Sequence, residues 1–477
     1  MDYAVLFTWP LITILLFSFL PAGAAVLTAM LGAWLFLPMT GLKIPGFPDI
    51  TKMTVACFSV MLATVMFDAG RFLRLKPSWL DLPMLAWCGL VPFVSALAAG
   101  WGPYEGLSGI ATQSISWGIA YLVGRLYFQA PQHLTTLARA IVIGGLIYAP
   151  LCWIEMRMSP QLHNWIYGYH QHFFGQSRRG DAWRPTVFMQ HGLMVSVWMS
   201  TAALLAAWLA WTRSVPTLFR LPMWLWAIVL LITAALCRST GATLLMIGGA
   251  GLLAATWLLR TRLLLVVLIS IPITYAGLRT LGNWDARQLD AAISAVFPEE
   301  RAGSLRIRLD SETQTWMLLR GSETFGRGRF DFLEVKASED FGRGIIPDGY
   351  WVIVLGIYGL VGLSIFFAML ILPPLTALLA IPAPALRSPA IAAVVGLSTV
   401  LVLYVVDCLS NAMLNPIFTM IAGGLVSVAA TLRLARRQAF AAQHRTFAPP
   451  GPLPPPPSPP APTQPPLRSG PPRPQGQ

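Results

Sequence analysis

One long polar stretch interrupts an otherwise apolar chain, and it is dense in arginine. From Ser304 to Gly362 the sequence reads SLRIRLDSETQTWMLLRGSETFGRGRFDFLEVKASEDFGRGIIPDGYWVIVLGIYGLVG, running straight into an apolar helix at Asp348-Gly349-Tyr350. Guanidinium forks bind phosphate oxygens at two points. Arginines clustered at the outer surface, above all Arg184 and Arg238 at the mouths of two other apolar segments, therefore suit a diphosphate head group on a lipid tail. The remaining arginines of the stretch and its flank (Arg287, Arg301, Arg320, Arg327, Arg329, Arg343) read as a solvated face. Asp310, Glu312, Glu323, Asp331, Glu334, Glu339 and Asp340 are there to pair with them.

Three carboxylates fall at the ends of apolar segments: Glu155, Asp348 and Asp407. An intramembrane carboxylate is costly and is a functional candidate by default, although Asn411, one helical turn beyond Asp407, offers it a simple partner. Asp348 reads either as a general base or as the N-cap of the helix that follows, a cap being worth about 0.5–2 kcal/mol. His163, His170, His172 and His191 scatter without metal-ligand spacing, so no metal or other cofactor is expected; His191 is the reserve base. Gly321, Gly326 and Gly328 in LRGSETFGRGRF resemble a phosphate loop, but no strand precedes them and no Walker lysine follows. They predict a tight turn that lets the backbone approach a ligand. The glycines of IGGAGLL and GLVGL read as helix-packing positions, and the five cysteines as packing residues with no disulfide framework.

The elements that must position these groups are membrane helices. Of 477 residues 56% are hydrophobic and 11% charged, against about 25% charged in soluble domains. That excludes a water-soluble core and predicts an all-α polytopic membrane protein. Apolar segments at about 52–69, 83–99, 107–126, 135–156, 187–211, 221–236, 241–258, 262–279, 350–372, 388–408 and 413–432 each approach spanning length. With one broken or two short spans over 4–38 they make about 12 or 13 transmembrane helices. The net charge of +13 does not imply nucleic acid, because short loops carrying Arg71, Arg74, Lys76, Arg125, Arg139, Arg213, Arg220, Arg260 and Arg262 mark the cytoplasmic side. The loops around 100–106, 157–186 and 280–349 then face outward, the last of them partly helical. Asp2 replaces the basic start of a signal peptide, so the N-terminus reads as an uncleaved anchor. Residues 1–447 form the membrane domain with the 280–349 loop inside it. Residues 448–477 are a proline-rich cytoplasmic tail, disordered unless it docks a partner.

The order of these features resembles the O-antigen ligase/polymerase superfamily, bacterial membrane enzymes that ligate or polymerise lipid-linked glycans. The similarity runs from about Leu122 to Leu425. It is carried by WRPTVFMQHGLMVSVW (Trp183 to Trp198), CRSTGATLLMI (Cys237 to Ile247), the Arg–Trp–Gly-x-Gly–Phe order of the long loop, and DGYWVIVLGIYGLVGL. In many ligases the last segment begins His-Asn with a glycine eleven positions on; here Asp348 stands eleven before Gly359. The resemblance implies a metal-independent, inverting transfer from an undecaprenyl diphosphate-linked glycan to a glycan or lipid acceptor, at the outer face of the bacterial inner membrane. Arg184 and Arg308 would stabilise the leaving diphosphate, with Arg306 and Arg238 behind them, and Asp348 or His191 would take the acceptor proton. Asp407 is a further binding candidate. Trp183, Trp316, Tyr350 and Trp351 would stack on sugar. A non-enzymatic glycolipid transporter or flippase shares the spans. It predicts internal repeats and midplane charges, and neither is evident.

Overall fold

The computed structural model describes residues 2–43, 48–282, 284–296, 299–329 and 347–446. Asp331, Glu334, Glu339, Asp340, Arg343 and the proline-rich tail lie outside them. The chain divides into Met1–Leu434, which holds everything discussed below, and Ala435–Gln477, of which residues 435–446 are described and are helical.

Each apolar segment folds as a helix, and the protein is an all-α polytopic membrane protein. Among the described residues nine helices are long and apolar enough to cross a membrane, Ala22–Phe36 and Met223–Leu236 being shorter apolar helices. Lys52–Asp68 and the compound stretch from Pro103 to Tyr127 complete the set. The N-terminal segment is two helices, Asp2–Phe19 and Ala22–Phe36, broken before Pro21 because proline disfavours the helical region for its predecessor. Strands are confined to three two-residue ribbons. The long loop carries Arg287–Val296 and Glu299–Leu318 as helices.

Two helices are the most enclosed, Gly192–Trp211 and Pro389–Asp407, each with 78% of its apolar stretch shielded by protein. The first begins where the second ends, so His191 and Asp407 fall at one end of the bundle. Gly249 packs against Leu403 and Leu204 as a helix-contact glycine. The loops expected on one side do converge. Trp101 Nε1 donates to the Arg327 carbonyl at 2.8 Å, and Arg184 and Arg308 are close enough for each charge to act on the other. Arg125, expected as a loop charge, is instead 4% exposed. It pairs with Asp81 at 2.8 Å and donates to Ser427 and the Lys76 carbonyl, both at 2.6 Å. A guanidinium with that many acceptors can be buried where a lone one cannot.

The glycine-rich loop has a structural task that corrects the ligand-approach reading. The helix Tyr350–Ala380 breaks at Gly359, whose φ is +64° and ψ −164°. The break deprives the carbonyls of Gly356 and Ile357 and the amides of Leu360 and Val361 of their helical partners. The 323–328 segment supplies all four. Arg327 N–H donates to Gly356 O (3.0 Å), Gly328 N–H to Ile357 O (2.8 Å), Leu360 N–H to Glu323 O (2.8 Å) and Val361 N–H to Thr324 O (3.1 Å). In hydrocarbon such groups must be satisfied by protein. Gly326 (φ +72°) and Gly359 permit the approach: a Cβ on Gly359 would lie 2.5 Å from Gly326 N and Thr324 O. Gly359 is therefore a docking point for the loop and not a helix-packing glycine.

Gly359→Ala should accordingly lower the thermal midpoint of the purified protein, with a cost of at least ~1–3 kcal/mol for the left-handed backbone alone. Gly248→Ala, where no atom lies within 4 Å of the added Cβ, should leave it unchanged. Size-exclusion profiles after graded heating read both outcomes.

Candidate functional site

The turn after the Pro389–Asp407 helix organises the site. Its carbonyls cap the start of the Tyr350–Ala380 helix: Tyr350 N–H donates to Asn411 O and Trp351 N–H to Cys408 O (both 3.2 Å), and Trp351 Nε1 to Leu409 O (3.1 Å). The N-cap is Gly349, with no side chain capping it; a Cβ there would meet Leu409 O at 2.5 Å. Asp348 therefore precedes the cap, which corrects the N-cap reading, and its carboxylate is committed elsewhere.

That commitment is to Arg308. From the loop helix Glu299–Leu318, Arg308 Nε donates to Asp348 Oδ2 at 3.1 Å, the side chains being 23% and 44% exposed. Arg308 Nη2 also reaches toward Asn411 Oδ1 at 3.5 Å, and Asn411 Nδ2 donates to Asp407 Oδ1 at 2.6 Å. Asp407 is buried, and its Oδ2 has no hydrogen-bond partner among the described residues. Four polar residues from three elements are thus strung together, and Asn411 satisfies only half of the Asp407 carboxylate.

Arg184 approaches from the 157–186 loop. It is 4% exposed. Its Nη2 donates to the Arg238 carbonyl at 2.8 Å, while Nε and Nη1 have no hydrogen-bond partner among the described residues. Burial, and then the charges of Arg179 and Arg308, push its pKa down to about 10. The segment that places it is clamped from three sides. Glu155 accepts from Thr186 and Val187 N–H at 2.8 and 2.7 Å, Tyr148 OH accepts from Phe188 N–H at 3.1 Å, and Lys52 Nζ donates to Phe188 O at 2.9 Å. The clamp holds Val187 at φ +50°, a conformation a β-branched residue avoids. Glu155 is therefore a positioning residue. Lys52 and Gly192 were not legible as site residues. The stem of Arg184 crosses Gly192 so closely that a Cβ would lie 2.2 Å from Arg184 Cδ.

His191 caps the Gly192–Trp211 helix, its Nδ1 accepting from Leu193 N–H at 3.0 Å. Burial first, then His172, Arg184, Arg179 and Arg308, push its pKa down to about 3. With Nδ1 accepting, the neutral ring carries its proton on Nε2, so His191 is a donor here and a poor base. Arg306 stands apart from the cluster, exposed and paired with Asp290 and Glu299 at 3.2 and 3.1 Å. Arg238 contributes its carbonyl; its exposed side chain reaches Arg179 O at 3.4 Å. Tyr350 is buried against Trp117 and Phe366, a packing role that removes it as a sugar platform. Trp183 sits in a small ribbon against Phe174. Beneath Asp407 a small void of about 20 Å³ lies between the helices Gly192–Trp211, Thr240–Leu259 and Pro389–Asp407, lined by Ser200, Thr201, Leu204, Met246 and Leu403.

Two outcomes follow from this geometry. Gly192→Ala should displace Arg184 and reproduce the phenotype of Arg184→Ala in whatever assay reports the site. Acid should also destabilise the fold through His191. Its folded pKa lies below the unfolded value of about 6.5, so the unfolded chain binds a proton that the folded site refuses. Stability then falls from pH ~6.5 toward ~3 by up to about 1.4 kcal/mol per pH unit. His191→Asn keeps a capping side chain and should flatten that slope when thermal midpoints are compared at pH 7 and 4.5.

Compared with known proteins, the chain matches no family model and no curated protein.

Proposed function

We propose that this protein is a glycan ligase or polymerase of the bacterial inner membrane, transferring a glycan from undecaprenyl diphosphate to an acceptor hydroxyl at the outward face. The observation that carries the reading is the buried Arg184 guanidinium with two unpartnered nitrogens, held in the repulsive field of Arg179 and Arg308. A buried cation with free donors beside like charges is costly. A multiply charged anion repays that cost, and a diphosphate offers oxygens enough for Arg184 and Arg308 together.

The chemistry follows from charge movement. The acceptor oxygen attacks C1 of the donor sugar from the face opposite the leaving group. The C1–O bond to phosphate breaks, its electron pair stays on the diphosphate, and the acceptor proton passes to Asp348. Arginines aimed at the bridging oxygen stabilise the transition state more than the ground state. Arg308 is paired with Asp348 at 3.1 Å. A diphosphate arriving at Arg308 competes for that guanidinium and frees Asp348, so donor binding prepares the base. Glu155, Tyr148 and Lys52 keep the Arg184 segment rigid, as electrostatic stabilisation without reorganisation requires.

Arg184→Ala and Arg308→Ala should each cut transfer by about 10²–10³ while the protein still inserts and expresses. Arg→Lys should rescue poorly, since a point charge does not reproduce a two-pronged contact. Asp348→Asn should abolish transfer and retain the donor. The assay is turnover of undecaprenyl diphosphate-linked glycan by reconstituted protein, alongside the glycan profile of a deletion strain. A lost chain-length ladder marks a polymerase, and free lipid-linked polymer beside a bare acceptor marks a ligase. Full turnover by both lysine variants, or by Asp348→Asn, would overturn the assignment of roles.

A further inference from the structure

One helical turn along the loop helix from Arg308, a second concavity of about 210 Å³ is walled by tryptophan. Arg308 and Glu312 are i and i+4 neighbours on one face, and Trp351 follows Asp348 by three residues, so this cavity adjoins the Arg308–Asp348 pair. Its walls are the partly exposed Trp284 and Trp316, with the buried Trp351 behind them, and Asp285 and Arg320 are exposed residues of its lining. At its floor lies a closed ion pair. Arg279 Nε donates to Glu312 Oε2 at 2.8 Å and Tyr275 OH donates to the same oxygen at 2.8 Å. The other Arg279 nitrogens are spent on Trp284 O, Leu309 O and Thr313.

The rings are held before any ligand arrives. Tyr275 lies edge-on to Trp284 and Trp351, with centroids 6.1 and 5.8 Å away. Trp284 Nε1 donates to Gln288 at 2.7 Å and Trp351 Nε1 to Leu409 O at 3.1 Å. Two indole N–H groups are thus satisfied. A floor whose charges neutralise one another attracts no net charge, so a diphosphate has no reason to settle here. A prenyl tail is equally ill suited, because the lining carries charged groups. A cavity of about 210 Å³ is on the scale of one sugar ring. Apolar C–H faces suit fixed indoles, and ring hydroxyls suit Asp285, Thr313 and Arg320.

We propose that this cavity is a pyranose-binding subsite, seating the terminal sugar of the acceptor glycan with a hydroxyl toward Asp348. The acceptor assignment rests on the transfer reading above, whereas sugar binding does not.

The test is saturation-transfer NMR on the full-length protein in lipid nanodiscs. The probes are the methyl glycosides of glucose, galactose, mannose, rhamnose and N-acetylglucosamine, with undecaprenyl diphosphate binding measured in parallel. At least one glycoside should receive saturation. Its affinity should fall about tenfold in Trp316→Ala and in Trp284→Ala, the size of one lost ring contact. Trp316→Phe, which keeps a ring, should retain most of it, and Arg306→Ala, on the exposed side of the same helix, all of it. Saturation of no glycoside, or affinity unchanged in both alanine variants, would overturn the subsite. Sugar binding that persists in a protein unable to bind undecaprenyl diphosphate would uphold the subsite and remove the donor reading instead.

Discussion

Backbone groups freed inside a membrane helix have no water to turn to, and this constraint governs how the protein is assembled. At Gly359 the Tyr350–Ala380 helix gives up two hydrogen bonds, and the returning loop makes four in their place. The far end of the loop is thereby bonded into the bundle. At the start of the same helix, the turn from Cys408 to Asn411 accepts from the first free amides. Between these anchors the helix Glu299–Leu318 has little freedom, and the buried Arg279–Glu312 pair fixes its remaining flank.

Charge at the site is distributed unevenly. Arg279, Arg125 and Arg306 each have carboxylates of their own. Arg184 has a carbonyl and two idle nitrogens. Satisfied arginines hold elements together, whereas an under-satisfied one stores an interaction for something that arrives later. The same distinction separates the carboxylates. Glu155 accepts three backbone amides and fixes a turn. Asp348 is half exposed and shares its partner Arg308 with Asn411.

The helix Gly192–Trp211 shows how a local rule serves the site. His191 caps it, and that capping bond sets the imidazole tautomer while burial keeps the ring neutral. Gly192 then leaves room for the Arg184 stem to cross the helix start. A cap, a missing Cβ and a clamped turn place one guanidinium, and none of the three touches what that guanidinium is built to meet.

Composition and apolar periodicity by themselves determined an all-helical polytopic membrane protein with one long polar loop. They also marked Arg184, Arg238, Asp348 and Asp407 as groups in costly places. These are local properties: burial cost and helix length can be read wherever a charge meets an apolar run. Partnership is not local. Arg306 and Arg308 lie two residues apart, and only the packing of their helix sends one to Asp290 and Glu299 in solvent and the other to Asp348. Gly326 and Gly359 read as a ligand-approach turn and a packing glycine until the fold brought their backbones together. Trp284, Trp316 and Trp351 are scattered in sequence, and only the helices that carry them close a cavity around them. Tertiary structure decided these roles because a hydrogen bond or a ring face acts over a few ångströms, and sequence separation does not measure that distance.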